Sequence, residues 1–499
     1  MRAPVPVLLL PLLLAGGGCA ATISYEDEIG TVYHRYSRGE FERAARLIQE
    51  GYEDHWRIQA DPSAGTLEFS DDAVVWNLER GKILLDAGRY RAAYRALESA
   101  ETVINQVFAE RAVVDTAEAA AEAEALLTNQ KALPYEGTVA DRILLNTYKA
   151  LAAVLQGDLD QALIEARRIE ETQDAAIRDF AAEAEQTNRA GAARGLAFDQ
   201  EAFLASPRVR EDLPWLRGAD AYPPSYRDFL NPYALLVKAV LRRIKDDPNE
   251  SPLVDLRNLA SMRPDLTEVV EELERVQAGE PPTGRVYVLY EGGLAPVIES
   301  VEYEVPYGWW RAVFGVRSDA LDLLQRAYFA LPVLRPGRPA AGPLVVADAS
   351  GREDRTVVVA EMEPIMRYEF ERRYPVILMR ELLRVLVQET ASHEVRQAAQ
   401  RQDDVLGAIA VLGGLLYQSA MNRADDRSWR TLPAAFGFLT RPLPADGRLT
   451  LRIDGAAAQP VTIDLAGKDV ALIYARSVNG RSLTVHQVGF IHGSGGIQS

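Results

Sequence analysis

From residue 24 to about residue 279, apolar and alanine positions recur at three- and four-residue spacing, and prolines fall largely in connections. That is the period of helices packed through one face. At Gly279-Glu-Pro-Pro-Thr-Gly284 the period changes. Short β-rich runs follow at 286–290, 301–305, 344–347, 356–361, 448–453, 461–465, 470–475 and 483–488, several separated by Asp446-Gly447, Asp454-Gly455 or Asn479-Gly480 turns. The pattern predicts an α+β multidomain chain: a helical-repeat domain over 24–279, then a β-sandwich-like domain over 280–499. A helical insertion is expected over about 364–423, with Pro375 restarting a helix that runs to about residue 401. Residues 109–127, rich in Ala and Glu, read as a solvated helix, and 197–232, with Pro207, Pro214, Pro223, Pro224 and Pro232, as a long ordered loop.

Three segments in the helical half look alike: Gly39-Glu-Phe41-Glu-Arg-Ala44, Gly88-Arg-Tyr90-Arg-Ala-Ala93 and Gly157-Asp-Leu159-Asp-Gln-Ala162. Gly can end one helix in a left-handed cap, the bulky residue plugs the gap between helices, and Ala lets the next helix approach closely. The unit resembles the helix–turn–helix of tetratricopeptide repeats, the second copy most closely, because Gly81 stands seven residues before Gly88. The separations of 49 and 69 residues imply insertions between units, and a generic bundle of helical hairpins explains the same spacing. A fourth pair is expected over 231–265, turning at Asp247-Pro248-Asn249.

The N-terminus carries Arg2, an apolar run over 5–15, and then Gly16, Gly17, Gly18 and Cys19. The run is about half of what a bilayer-spanning helix needs, so residues 1–18 read as a removable export signal. Small residues before a cysteine resemble the lipobox of bacterial lipoproteins, here with Gly16 where that motif has an aliphatic residue, and Cys19 is the only cysteine in the chain. The resemblance implies acylation of Cys19, a tether over 19–23 and the lipid bilayer as first partner. Ala20 after the cysteine implies sorting to the outer membrane, with the body in the periplasm.

Charge and chemistry narrow the functional classes. With 55 Lys and Arg against 72 Asp and Glu, the net charge of −17 argues against nucleic-acid binding. There is no G-x-S-x-G elbow, H-E-x-x-H helix, P-loop or strand-following G-x-G-x-x-G, so neither a catalytic set nor a cofactor is expected. His34 and His55 read as helix residues, and His486 and His492 lack a carboxylate that would complete a metal site. Tyr307, Trp309 and Trp310 form an aromatic patch suited either to a core or to a partner, glycan or membrane surface. Residues 405–422 hold no charge and fit either a buried helix or a membrane-entering one.

The string Ala424-Asp425-Asp426-Arg427-Ser428-Trp429-Arg-Thr-Leu432-Pro433 reads as a structural junction: Arg427 pairs with a carboxylate and Trp429 fills a gap between helix and sheet. With Asp141-Arg-Ile-Leu-Leu-Asn146-Thr-Tyr148 and Val286-Tyr-Val-Leu-Tyr290-Glu-Gly-Gly-Leu294, this string resembles an uncharacterised family of proteobacterial lipoproteins with tetratricopeptide-like N-terminal halves. The resemblance implies an envelope assembly and no catalytic residues. The expected function is a non-enzymatic scaffold whose helical repeats offer a concave surface to an envelope protein, such as another lipoprotein, while the β domain docks on a second component. A glycan-binding or glycan-modifying protein and an accessory of an export pore are the alternatives.

Overall fold

The structure is a computed structural model that describes residues 25–61, 66–114, 133–192, 199–213, 215–216, 222, 224–229, 231–305, 327–399, 424–493 and 496–498. Helices dominate the first part: α1 (Tyr25–Ser37), α2 (Phe41–Gly51), α3 (Glu53–Trp56), α4 (Ala73–Asp86), α5 (Tyr90–Val114), α6 (Val139–Leu155) and α7 (Leu159–Ala192). They continue as α8 (Gln200–Ala205), α9 (Pro207–Asp212), a 3-10 turn (Pro224–Phe229), α10 (Pro232–Lys245), α11 (Leu253–Met262) and α12 (Thr267–Gln277). A small hairpin, β1 (Ile58–Asp61) and β2 (Thr66–Phe69), interrupts them. The stretch expected to be one long loop therefore contains helical turns. Asp199 and Ser206 accept N–H bonds at the starts of α8 and α9, and Pro207 opens α9 where a missing N–H costs nothing.

The later part is a mixed α+β region. It holds β3 (Arg285–Gly292), β4 (Val297–Val305), β5 (Ala327–Arg335), β6 (Leu344–Asp348), β7 (Glu353–Arg355), β8 (Val357–Glu361) and α13 (Met362–Ala399). After these come β9 (Ala435–Pro442), β10 (Arg448–Ile453), β11 (Val461–Asp464), β12 (Val470–Ser477), β13 (Thr484–Gly493) and β14 (Gly496–Gln498). One sheet has the order β14-β13-β12-β3-β9-β8, antiparallel except for the β12–β3 pair, and a second has the order β11-β10-β6-β7. β4 and β5 pair only with each other among the named strands.

Side-chain alternation gives each face of the six-stranded sheet its own neighbour. Tyr287, Leu289, Phe436, Phe438, Leu472 and Tyr474 join the core of the helical part, while Val286, Val288, Leu439, Ala471 and Ile473 pack with Leu344, Val346, Leu449 and Leu451 of the second sheet. Arg441 crosses between the sheets, donating to the Val346 carbonyl at 2.8 Å and to Asp348 Oδ2 at 2.5 Å. The helical core thus runs on past Gly284 into the sheet.

α6 is buried on every side and touches α4, α5, α7, α10 and α13. A capping box closes its start: Thr138 accepts from the Asp141 N–H, and Asp141 accepts from the Thr138 N–H. Pro375 lies inside α13 rather than at its start. Pro375 removes one ladder bond, and the buried Tyr374, Val376, Leu378, Met379 and Leu382 keep the helix continuous across it. No described helix is long and apolar enough to cross a membrane.

Candidate functional site

The three Gly-x-Φ-x-x-Ala segments make one and the same turn. Gly39, Gly88 and Gly157 have φ of 78°, 75° and 90°, the left-handed region that an L side chain rarely adopts. At each, the glycine N–H donates to the carbonyl three residues back and the next N–H to the carbonyl five back: Gly39 to Tyr36 at 2.8 Å and Glu40 to Arg35 at 3.1 Å, for example. This is the Schellman arrangement. Phe41 and Leu159 are buried, Tyr90 is half-buried, and Ala44, Ala93 and Ala162 are fully buried. Gly81 earns its place by contact, since a Cβ there would lie 2.5 Å from Leu97 Cδ2. Two of the turns abut the end of the chain's β region, Gly39 beside Ser482 in the β12–β13 connection and Gly88 beside His486 of β13.

Behind those turns a wholly buried polar cluster joins helices to sheet. Lys82 and Asp86 lie one turn apart on α4, and the Lys82 ammonium donates to Asp86 at 2.5 Å and contacts Glu291 Oε2 at 3.1 Å. Glu291 comes from β3, Tyr474 and Arg476 from β12, Tyr36 from α1 and Tyr233 from α10, all with essentially no exposure. Tyr36 donates to Asp86 at 2.5 Å, Tyr474 to Glu291 at 2.9 Å, and Tyr233 to Glu291 at 3.1 Å. Burial works against the Asp86 carboxylate, but Lys82 and Arg476 outweigh it and hold its pKa below the usual range. Two cations face two carboxylates, so the cluster is neutral, and no solvent reaches it.

His486 sits at the edge of this cluster. Its Nε2 faces the Asp86 carbonyl at 3.1 Å and its Nδ1 the Tyr90 hydroxyl at 2.8 Å. A carbonyl only accepts, so Nε2 carries the proton and Tyr90 donates to Nδ1. Burial lowers the His486 pKa, which favours this neutral form.

The junction string occupies the seam between α4, α6 and the β4–β5 pair. The Arg427 guanidinium is almost fully buried and donates to Asp425 at 2.7 Å, to Asp72 at 3.0 Å and to the Leu133 carbonyl at 2.9 Å. Trp429 is fully buried, edge-on to Tyr148 at 5.5 Å. Glu79 of α4 receives the Arg430 N–H at 2.5 Å and the Thr431 hydroxyl at 2.5 Å. Burial pushes its pKa up to about 7, with the Thr431 and Arg430 bonds pulling the other way.

Two openings stand out among the described residues. One is a cleft of about 370 Å³ between α5 and α7, floored by α6. Its walls are polar: Glu98, Glu101, Thr102 and Asn105 from α5, Arg142 and Asn146 from α6, Arg168, Glu171 and Thr172 from α7. Beneath it the Lys149 ammonium contacts Glu98 at 2.6 Å, Glu165 at 3.1 Å and Glu101. Burial disfavours the Lys149 charge, but Glu101, Glu98 and Glu165 hold its pKa above the ordinary lysine range.

The other opening is a pocket of about 130 Å³ where α13, the start of α6 and the β4–β5 pair meet, and Asp425 and Arg427 line it. Glu369 of α13 fixes one wall by accepting the Val139 N–H at 2.6 Å and the Ala140 N–H at 2.9 Å, a carboxylate at a helix N-terminus.

The remaining sequence-derived candidates divide in two. Cys19, the aromatic patch of Tyr307, Trp309 and Trp310, and residues 405–422 lie outside the described residues. His34 is exposed on α1, and His55 packs on the Trp76 ring at 4.8 Å. Among the described residues no group of His, Cys, Asp and Glu is placed to hold a metal ion. Sequence pattern alone does not single out the buried cluster, although part of its signal is there: Lys82 and Asp86 flank the apolar run Ile83-Leu84-Leu85 on α4, and Glu291 and Arg476 stand near the ends of apolar strands. Compared with known proteins, the chain matches no family model, no curated protein and no solved structure.

Proposed function

We propose that the protein is a non-enzymatic scaffold of the bacterial envelope, held at the outer membrane by lipid on Cys19, with its helical part receiving an envelope protein. The cleft between α5 and α7 carries this reading. It is lined mainly by amide, hydroxyl and charged side chains from α5, α6 and α7, with Ile104, Leu145 and Ala175 among them, and a groove of this kind suits an extended peptide segment through hydrogen bonds. The charged floor is already paired inside the protein, so binding a segment above it needs no reorganisation of Lys149 or Glu165.

In this reading the three glycine turns are tetratricopeptide-like units and the two stacked sheets form a sandwich. The polar cluster of Lys82, Asp86, Glu291 and Arg476 fixes the units on the sheet, so that the cleft keeps one shape. The test is Asn105→Arg, which places a long side chain in the cleft without touching the core. It should remove a partner crosslinked to the wild type in native envelopes while leaving the melting temperature unchanged. Retention of every crosslinked partner would reject the cleft.

A further inference from the structure

We propose that the pocket between α13, α6 and the β4–β5 pair is an anchor site for one large apolar side chain of a protein partner, presented beside a basic residue. Size sets the first limit. A cavity of about 130 Å³ is close to one of about 150 Å³ that takes a benzene molecule, so it suits a single ring or branched aliphatic group. An acyl chain or an oligosaccharide exceeds it.

The walls set the second limit. Met366, Phe370 and Ile377 follow one face of α13 and look across at Ile298 and Leu334 of the β4–β5 pair and at Leu133. An apolar side chain entering here meets these six apolar groups, with charged groups completing the rest of the wall, and contact of that kind is what makes an interface anchor.

Charge sets the third. Arg373 and Arg380 line the pocket, but Glu183 holds both, at 3.2 Å and 2.9 Å. Arg427 is committed to Asp425 and Asp72. The lining has four carboxylates, Glu136, Glu183, Glu369 and Asp425, against these three guanidiniums, and Asp72 adds a fifth behind them. The excess of negative charge repels an anionic ligand and favours a lysine or arginine next to the anchor. The walls are also held in place before binding, by the Glu369 bonds to the α6 N-terminus and the Arg427 bonds to Asp425 and Leu133.

The probe is the pentapeptide Gly-Lys-Phe-Lys-Gly, blocked at both ends and titrated by saturation-transfer NMR against the full-length protein. It should bind, and the same peptide with serine for phenylalanine should not. Glutamate in place of both lysines should weaken binding at least fivefold. Ile377→Trp, which fills the pocket from a partly exposed position, should weaken binding at least tenfold. If its melting temperature falls, Met366→Phe takes its place. Asn105→Arg in the cleft should leave binding unchanged, which separates this site from the scaffold reading.

Four results would overturn the proposal: no binding to the wild type, equal binding to a folded pocket-filled variant, equal binding of the serine peptide, or equal or tighter binding of the glutamate peptide. So would a photocrosslinker at position 377 that joins only to this chain's own residues in native envelopes, since the pocket would then be filled from within.

Discussion

Replacing Lys82 by methionine keeps the length of the side chain and deletes its charge at the centre of the helix–sheet seam. The Lys82 ammonium contacts Asp86 at 2.5 Å, Glu291 at 3.1 Å and the Tyr474 hydroxyl at 3.1 Å, with no exposure. Without it, Asp86 and Glu291 share a dry site with Arg476 alone, an excess of one negative charge. Removing one partner from a buried ion pair costs about 3–5 kcal/mol, because the remaining charge is desolvated without compensation. For a chain of 499 residues the entropy of unfolding is about 1 kcal/mol per degree, so the melting temperature should fall by about 3–5 °C. Adding Glu291→Gln to Lys82→Met restores one cation to one carboxylate and should recover about 1–3 °C of the loss. Differential scanning calorimetry at pH 7 reads both numbers. A Lys82→Met protein melting within about 1 °C of wild type, or a double variant less stable than the single one, would refute the account of the seam as a balanced ionic cluster.

Glu79 gives a pH signature. Its pKa of about 7 lies above the ordinary 4.5, so the folded state holds its proton more tightly, and this contribution is complete below about pH 4.5 and lost as pH rises through 7. The difference in melting temperature between wild type and Glu79→Gln should therefore change across pH 4.5–7.5, a comparison that cancels the opposite trend from the lowered His486 pKa. Ala162→Leu should overpack the α6–α7 contact, where Ala162 is fully buried, and cost about 1–3 kcal/mol in urea unfolding. Cys19→Ala should abolish labelling by a clickable fatty acid, because the chain has no second thiol; equal label in both proteins would sink the lipoprotein reading.

Local chemistry decided what could be read in advance. The turns at Gly39, Gly88 and Gly157 were legible because each needs positive φ, a bulky plug and a small close-packing residue within six positions. Strands β10 and β11 were legible from alternation between Gly-containing turns. β9 and β5 were not, because Gly437 and Pro332 break the apolar runs that signal a strand. Pairing supplies what the local pattern lacks: β9 lies between β3 and β8, and Gly437 leaves room beside Thr356.

The junction string was legible as a junction, since buried Arg beside Asp and Trp has few other uses, but its partners were not. Asp72 and the Leu133 carbonyl lie 355 and 294 residues away in sequence, and only the fold brings them to Arg427. The cleft and the pocket belong to no single segment, so no spacing along the chain announces them.

Whether the α5–α7 cleft docks a protein of the envelope can be decided by site-specific photocrosslinking in intact cells. A photoreactive residue at Asn105 in the cleft is compared with one at Thr462, exposed on β11 of the second sheet. Position 105 should give one discrete adduct with an envelope protein, lost in Cys19→Ala cells, and position 462 none of that size. The same adducts from both positions, or none from position 105, would contradict docking in the cleft.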